Sequence, residues 1–103
     1  MDSSEIYRIA EDKVFWDMKY SALVVAVDKN EDLIEYYKLP TNDKDKAEEF
    51  LEELKSANEI IENGIVEEED KDNEDITIIA YLVNMEKYSI TQYWKERLVD
   101  LED

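Results

Sequence analysis

The positions of apolar and polar residues divide the chain into blocks with different periods. Residues 18 to 27 (Met-Lys-Tyr-Ser-Ala-Leu-Val-Val-Ala-Val) are β-rich and almost continuously apolar, the pattern of a central strand. A polar turn, Asp28 to Asp32, separates them from a second strand at 33 to 39, which Pro40 is expected to end because proline donates no ladder hydrogen bond. Beyond it Ala47, Phe50, Leu51, Leu54, Ala57 and Ile61 recur at spacings of three and four. That stripe predicts an amphipathic helix, capped by Thr41 or Asn42, running to about Glu62 and stopped by Asn63-Gly64. Ile65 and Val66 can open a short strand, and residues 76 to 84 (Ile-Thr-Ile-Ile-Ala-Tyr-Leu-Val-Asn) form the second strong one. Ser89 with Gln92 three residues on fits a capping box. It precedes the stripe Ile90, Tyr93, Trp94, Leu98 and Leu101, which predicts a closing helix.

The N-terminal residues support two readings. Ile6, Ala10, Val14 and Met18 at spacing four suit a helix behind Ser3 or Ser4. Alternatively, 5 to 10 and 14 to 19 form a hairpin turning at Glu11-Asp12-Lys13, and the aromatic and β-branched content favours it. The expected fold class is therefore α+β: one domain with a mostly antiparallel sheet of about five strands, order β-β-β-α-β-β-α, and two helices packed on one face.

Charge changes the picture most. The 103 residues include 29 acidic and 12 basic ones, for a net charge of −17. Residues 41 to 75 carry 15 acids and 4 bases, net −11, so about two thirds of the excess sits in the middle third. Self-repulsion of this size opposes compaction. An anionic membrane surface or bare nucleic acid would be repelled, so the expected partner is a basic protein surface, with no direct nucleic-acid or membrane binding.

The residue inventory narrows the chemistry. His and Cys are both absent and there is one Gly, which removes the commonest general base, thiolate nucleophile, zinc ligands and glycine-rich phosphate loops. No cofactor is expected, and a binding protein is favoured over an enzyme. Asp28-x-Asn30-x-Asp32 and Asp70-x-Asp72-x-Glu74 resemble the start of a calcium-binding EF-hand loop. Leu33 or Asp75 stands where glycine is needed, and Leu39 or Tyr81 where the bidentate Glu belongs. A divalent site of low specificity in the 67 to 75 loop stays open. With no apolar run long enough to cross a membrane and no secretory signal at Met1-Asp2-Ser3-Ser4-Glu5, the expected location is the cytoplasm.

The candidate contacts are acidic. Glu48, Glu52, Glu59 and Glu62, with Glu49 and Glu53 beside them, would form a ridge of anions on one continuous helix, residues four apart lying about 6 Å apart along the axis. Glu67, Glu68, Glu69, Asp70 and Asp72 extend it into an exposed loop. Tyr36 and Tyr37 point to opposite faces of their strand, leaving at least one, with Tyr36 chosen, to stack on arginine. Trp94, Tyr93 and Tyr88 are expected in the core. A domain of this length is roughly 30–35 Å across, and duplex DNA of 30 Å carries about 18 charges, close to the chain's own −17.

A short chain without Cys, strongly acidic yet rich in Tyr and Ile, resembles the small virus-encoded inhibitors that mimic DNA, the anti-restriction and anti-CRISPR proteins. The resemblance covers composition and charge layout only. It implies an inhibitor that blocks a basic nucleic-acid-binding partner in the host cytoplasm, and it assigns no residue. The alternative is an acidic adaptor or subunit without mimicry.

Overall fold

A computed structural model describes residues 1–11, 13 and 17–101. Its centre is a four-stranded antiparallel sheet: β1 (Tyr20–Val27), β2 (Leu33–Thr41), β3 (Thr77–Asn84) and β4 (Ser89–Arg97), in the spatial order β2-β1-β3-β4. The two continuously apolar segments become the two inner strands. Seven of the eight residues of β1 are buried, as are six of the eight of β3. Such strands can bury both faces only if something covers each side.

The covers are helices on opposite faces. α1 (Ser3–Ala10) lays Ile6, Ile9 and Ala10 against Leu23, Val25, Val27, Ile79 and Val83. α2 (Lys44–Glu53) and α3 (Ala57–Glu62) lay Ala47, Leu51 and Ile60 against Ala22, Val24, Ala26, Ile78 and Ala80. The expected arrangement of both helices on one face is thus corrected. Alternate residues of β1 and β3 serve opposite cores, which is why their apolarity shows no period of two.

The N-terminal segment is the helix of the two readings, not the hairpin, as far as Ala10. Asp2 caps it in place of Ser3 or Ser4, its Oδ1 accepting the Glu5 N–H at 2.9 Å. Lys38 of β2 completes the other end by donating from Nζ to the carbonyls of Ile9 and Glu11 at 2.9 and 2.8 Å. A cation at a helix C-terminus meets the negative end of the macrodipole. In the second arm of the hairpin reading, 14 to 19, residues 14–16 lie outside the described residues, and 17–19 are in no strand.

The long helix is also corrected. Asp43, not Thr41 or Asn42, caps α2, accepting from Lys46 N–H at 3.2 Å. Thr41 and Asn42 instead brace the entry, accepting from the N–H groups of Asp43 and Lys19. The helix stops at Leu54 and restarts behind Ser56, whose extended backbone (φ −155°) lets Oγ accept the Glu59 N–H at 3.4 Å. Serine competes for backbone groups in this way, so it favours caps over helix interiors. The restart shifts the helical phase: Ile60 is fully buried while Ile61 is only half-buried. Asn63-Gly64 ends α3 as expected, with Gly64 at φ +74°.

The expected last helix is β4. Ser89 to Arg97 pair with β3, and a register shift between Ala80 and Tyr81 leaves Tyr93 as an extra residue. Tyr93 and the buried Trp94 consequently serve the same core, which is how a strand acquires helix-like spacing. The Trp94 indole donates to the Leu51 carbonyl at 2.9 Å and ties β4 to α2. Tyr88 is no core residue: it occupies the β3–β4 turn at φ +52° and is 72% exposed, its ring edge-on to Tyr7. Ile65 and Val66 are buried but form no strand; that and the helical N-terminus remove two of the expected five strands, and the unexpected β4 restores one, giving four.

Pro40 does not end β2, which continues to Thr41; Pro40 pairs with Ser21. β2 is an edge strand, where proline is tolerated. Glu35 adds to that protection, its Oε1 accepting the Tyr36 N–H at 2.9 Å. An edge strand without such devices is a template for pairing with another chain.

Candidate functional site

The break between α2 and α3 divides the expected ridge of anions. Glu49, Glu52, Glu53 and Glu62 are exposed, whereas Glu48 and Glu59 are half-buried. Glu48 is held from the sheet: the Tyr93 hydroxyl donates to its Oε2 at 2.7 Å. Burial, followed by the hydrogen bond and charge of Glu48, pushes the Tyr93 hydroxyl up to about 12. The six carboxylates therefore occupy two short helices and do not make one straight row.

The loop acids lie elsewhere, at one end of the sheet. Glu67 precedes a one-turn 3-10 helix, Glu68–Asp70, without a side-chain hydrogen bond to it, and Glu67, Glu68, Glu69 and Asp72 are exposed while Asp70 is half-buried. The antiparallel register sets their neighbours. Val27 pairs with both Leu33 and Thr77, and Thr77 pairs with Arg97. The β1–β2 turn, the start of β3 and the end of β4 thus share the end that the loop occupies. That end gathers Asp28, Asp32, Glu67 to Asp75 and Asp100 from segments far apart in sequence.

Asp28 and Asp32, which the sequence brings forward only as possible calcium ligands, join the acidic contacts through strand register. Asp28 also has a structural role. Its Oδ1 accepts the N–H groups of Asn30 and Asp32 at 2.8 and 3.0 Å, the turn chemistry that aspartate supplies. This explains the Asp-x-Asn-x-Asp pattern without calcium, and among the described residues no group of three acids is arranged to hold a metal ion.

Bases moderate this end, which carries Lys29 and Lys71 within its own turn and loop. Lys95 Nζ lies 3.7 Å from Glu31, and Arg97 Nε donates to Asp100 Oδ2 at 2.9 Å. Surface pairs of this kind contribute about 0–1 kcal/mol. Across the chain acidic side chains outnumber Lys and Arg by 17, 29 against 12.

Both tyrosines of β2 are partly exposed, Tyr36 at 37% and Tyr37 at 39%. They face opposite sides as expected. Tyr37 stacks on Phe50 of α2 with ring centroids 5.7 Å apart, so Tyr36 faces the α1 side of the sheet, next to Glu35. No helix of the described residues is long and apolar enough to cross a membrane. No known protein family matches the chain, and no characterised protein or solved structure shows significant similarity to it.

Proposed function

We propose that this chain is an acidic binding protein that presents carboxylates to a basic, nucleic-acid-binding protein and occupies that protein's nucleic-acid site. The observation that carries this reading is the gathering of the β1–β2 turn acids and the 67–75 loop acids at one end of the sheet, with α2 and α3 extending the negative surface along one face. Like charges drawn together by folding cost stability, and a cationic partner offsets that cost.

Dimensions fit the reading. The longest extent is 38 Å, and duplex DNA of that length carries about 22 charges. The net charge of −17 gives the molecule roughly three quarters of the duplex's charge per unit length.

Competition tests the function. A partner isolated by cross-linking in the native host should bind this chain or a short duplex, one excluding the other. A stable ternary complex of chain, partner and nucleic acid would favour the adaptor reading and sink mimicry.

A further inference from the structure

A small groove opens at the acidic end, between the start of β2 and the segment that follows α3. Its volume is about 150 Å³, well below the roughly 300–1,000 Å³ of small-molecule sites and on the scale of one side chain. Ile65 and Ile76, both almost fully buried, form an apolar floor. Ile34 forms a wall and is 47% exposed, the most exposed aliphatic residue among those described. The register shift between Ala26 and Val27 leaves Ile34 as an extra residue, which turns it toward the groove beside Glu35. Gly64 lies at the margin, and a Cβ there would meet nothing within 4 Å, so the mouth is open. Three carboxylates, Glu35, Glu67 and Asp70, stand around this apolar floor.

We propose that this groove takes one cationic side chain, Arg or Lys, of the basic partner; the inference rests on the function proposed above. The chemistry selects the occupant. An anion is repelled by the three carboxylates. A wholly apolar group would bury them against hydrocarbon and cost their hydration. A bare divalent ion needs converging oxygens, and the described acids provide no such group. Arg and Lys combine an aliphatic stem, which suits Ile34 and the floor, with a charged head that reaches the rim. Glu35 retains acceptor capacity, since one N–H occupies only one of about four lone-pair positions of a carboxylate.

The test is an amide chemical-shift titration of the 15N-labelled full chain at low salt. The probes are N-acetyl-arginine methylamide, N-acetyl-lysine methylamide and the neutral N-acetyl-norleucine methylamide. The two cations should give saturable shifts confined to residues 34–35, 64–67 and 70, and norleucine should give none there. Ile34→Ser and Glu67→Gln should each weaken binding about fivefold, the scale of one partly exposed contact. Comparing the two cations shows which side chain is preferred. Equal shifts from norleucine would overturn the proposal, as would unsaturable shifts spread over distant carboxylates such as Asp2 and Glu5. Either failure leaves the broader acidic-surface reading standing, because competition with duplex DNA tests that separately.

Discussion

The hydroxyl of Tyr93 donates to Glu48 Oε2 across 2.7 Å, joining the bulged edge strand β4 to α2. The contact makes the neutral phenol more favourable than in water, through burial first and the Glu48 carboxylate second. A folded value of about 12 against an ordinary 10 means that this stabilisation is complete below pH 10. It is lost as pH rises through the folded value. Ultraviolet titration should show Tyr93 ionising near pH 12, with Tyr81 also raised by burial and by Glu31, and Tyr93→Phe should remove one tyrosine from the late part of the curve. The same variant should cost about 1 kcal/mol at neutral pH. A titration unchanged by the substitution would place the raised group elsewhere.

The restart of the helix at Ser56 gives a second test. Ser56→Ala removes the cap of α3 and should cost about 1 kcal/mol in urea denaturation. If α2 and α3 could merge into one helix, alanine, the better helix former, would stabilise the chain instead.

Ser21 is the one buried polar residue among those described. It is 1% exposed, and its Oγ has no hydrogen-bond partner among them. It lies on β1 opposite Val83 and Pro40. A buried hydroxyl without a partner costs about 1–3 kcal/mol, so Ser21→Ala should stabilise the fold by about 1 kcal/mol, or roughly 4–8 °C in Tm. A lower melting temperature would show that the hydroxyl has a partner.

Repulsion among the surplus carboxylates predicts a salt response. Added NaCl shortens the Debye length, to about 10 Å at 0.1 M and 3 Å at 1 M. Melting temperature should therefore rise with salt, while affinity for a basic partner falls. Affinity that stays flat with salt would count against carboxylate contacts.

How the sequence encodes these features differs by element. β1 and β3 were legible because both of their faces are buried, so a run such as Ala22 to Val27 needs no partner to be recognised. β4 was not. Its spacing imitates a helix because the bulge turns Tyr93 and Trp94 to one side, and Leu98 and Leu101 then follow in a 3-10 turn beyond the strand. Ile90-Thr91 and the two aromatics were the contrary signal. The break at Ser56 was hidden because the apolar stripe continues through it, exchanging Ile60 for Ile61 in the core. Among the candidate contacts, the exposure of the loop acids was readable from composition. Their nearness to Asp28 and Asp32 was not, because it arises from strand register.

The most direct test of the acidic end compares two charge reversals that alter net charge equally. One variant replaces Glu68, Glu69, Asp72 and Glu74 by Lys, all exposed in the 67–75 loop. The other replaces Glu5, Glu11, Asp17 and Glu86 by Lys, positions outside the loop, α2 and α3. Partner affinity is measured by calorimetry, with circular dichroism confirming that both variants keep the native fold. The account predicts that binding collapses in the loop variant and falls only modestly in the other. Equal losses would make bulk charge the determinant, and a larger loss in the second variant would contradict the placement of the surface.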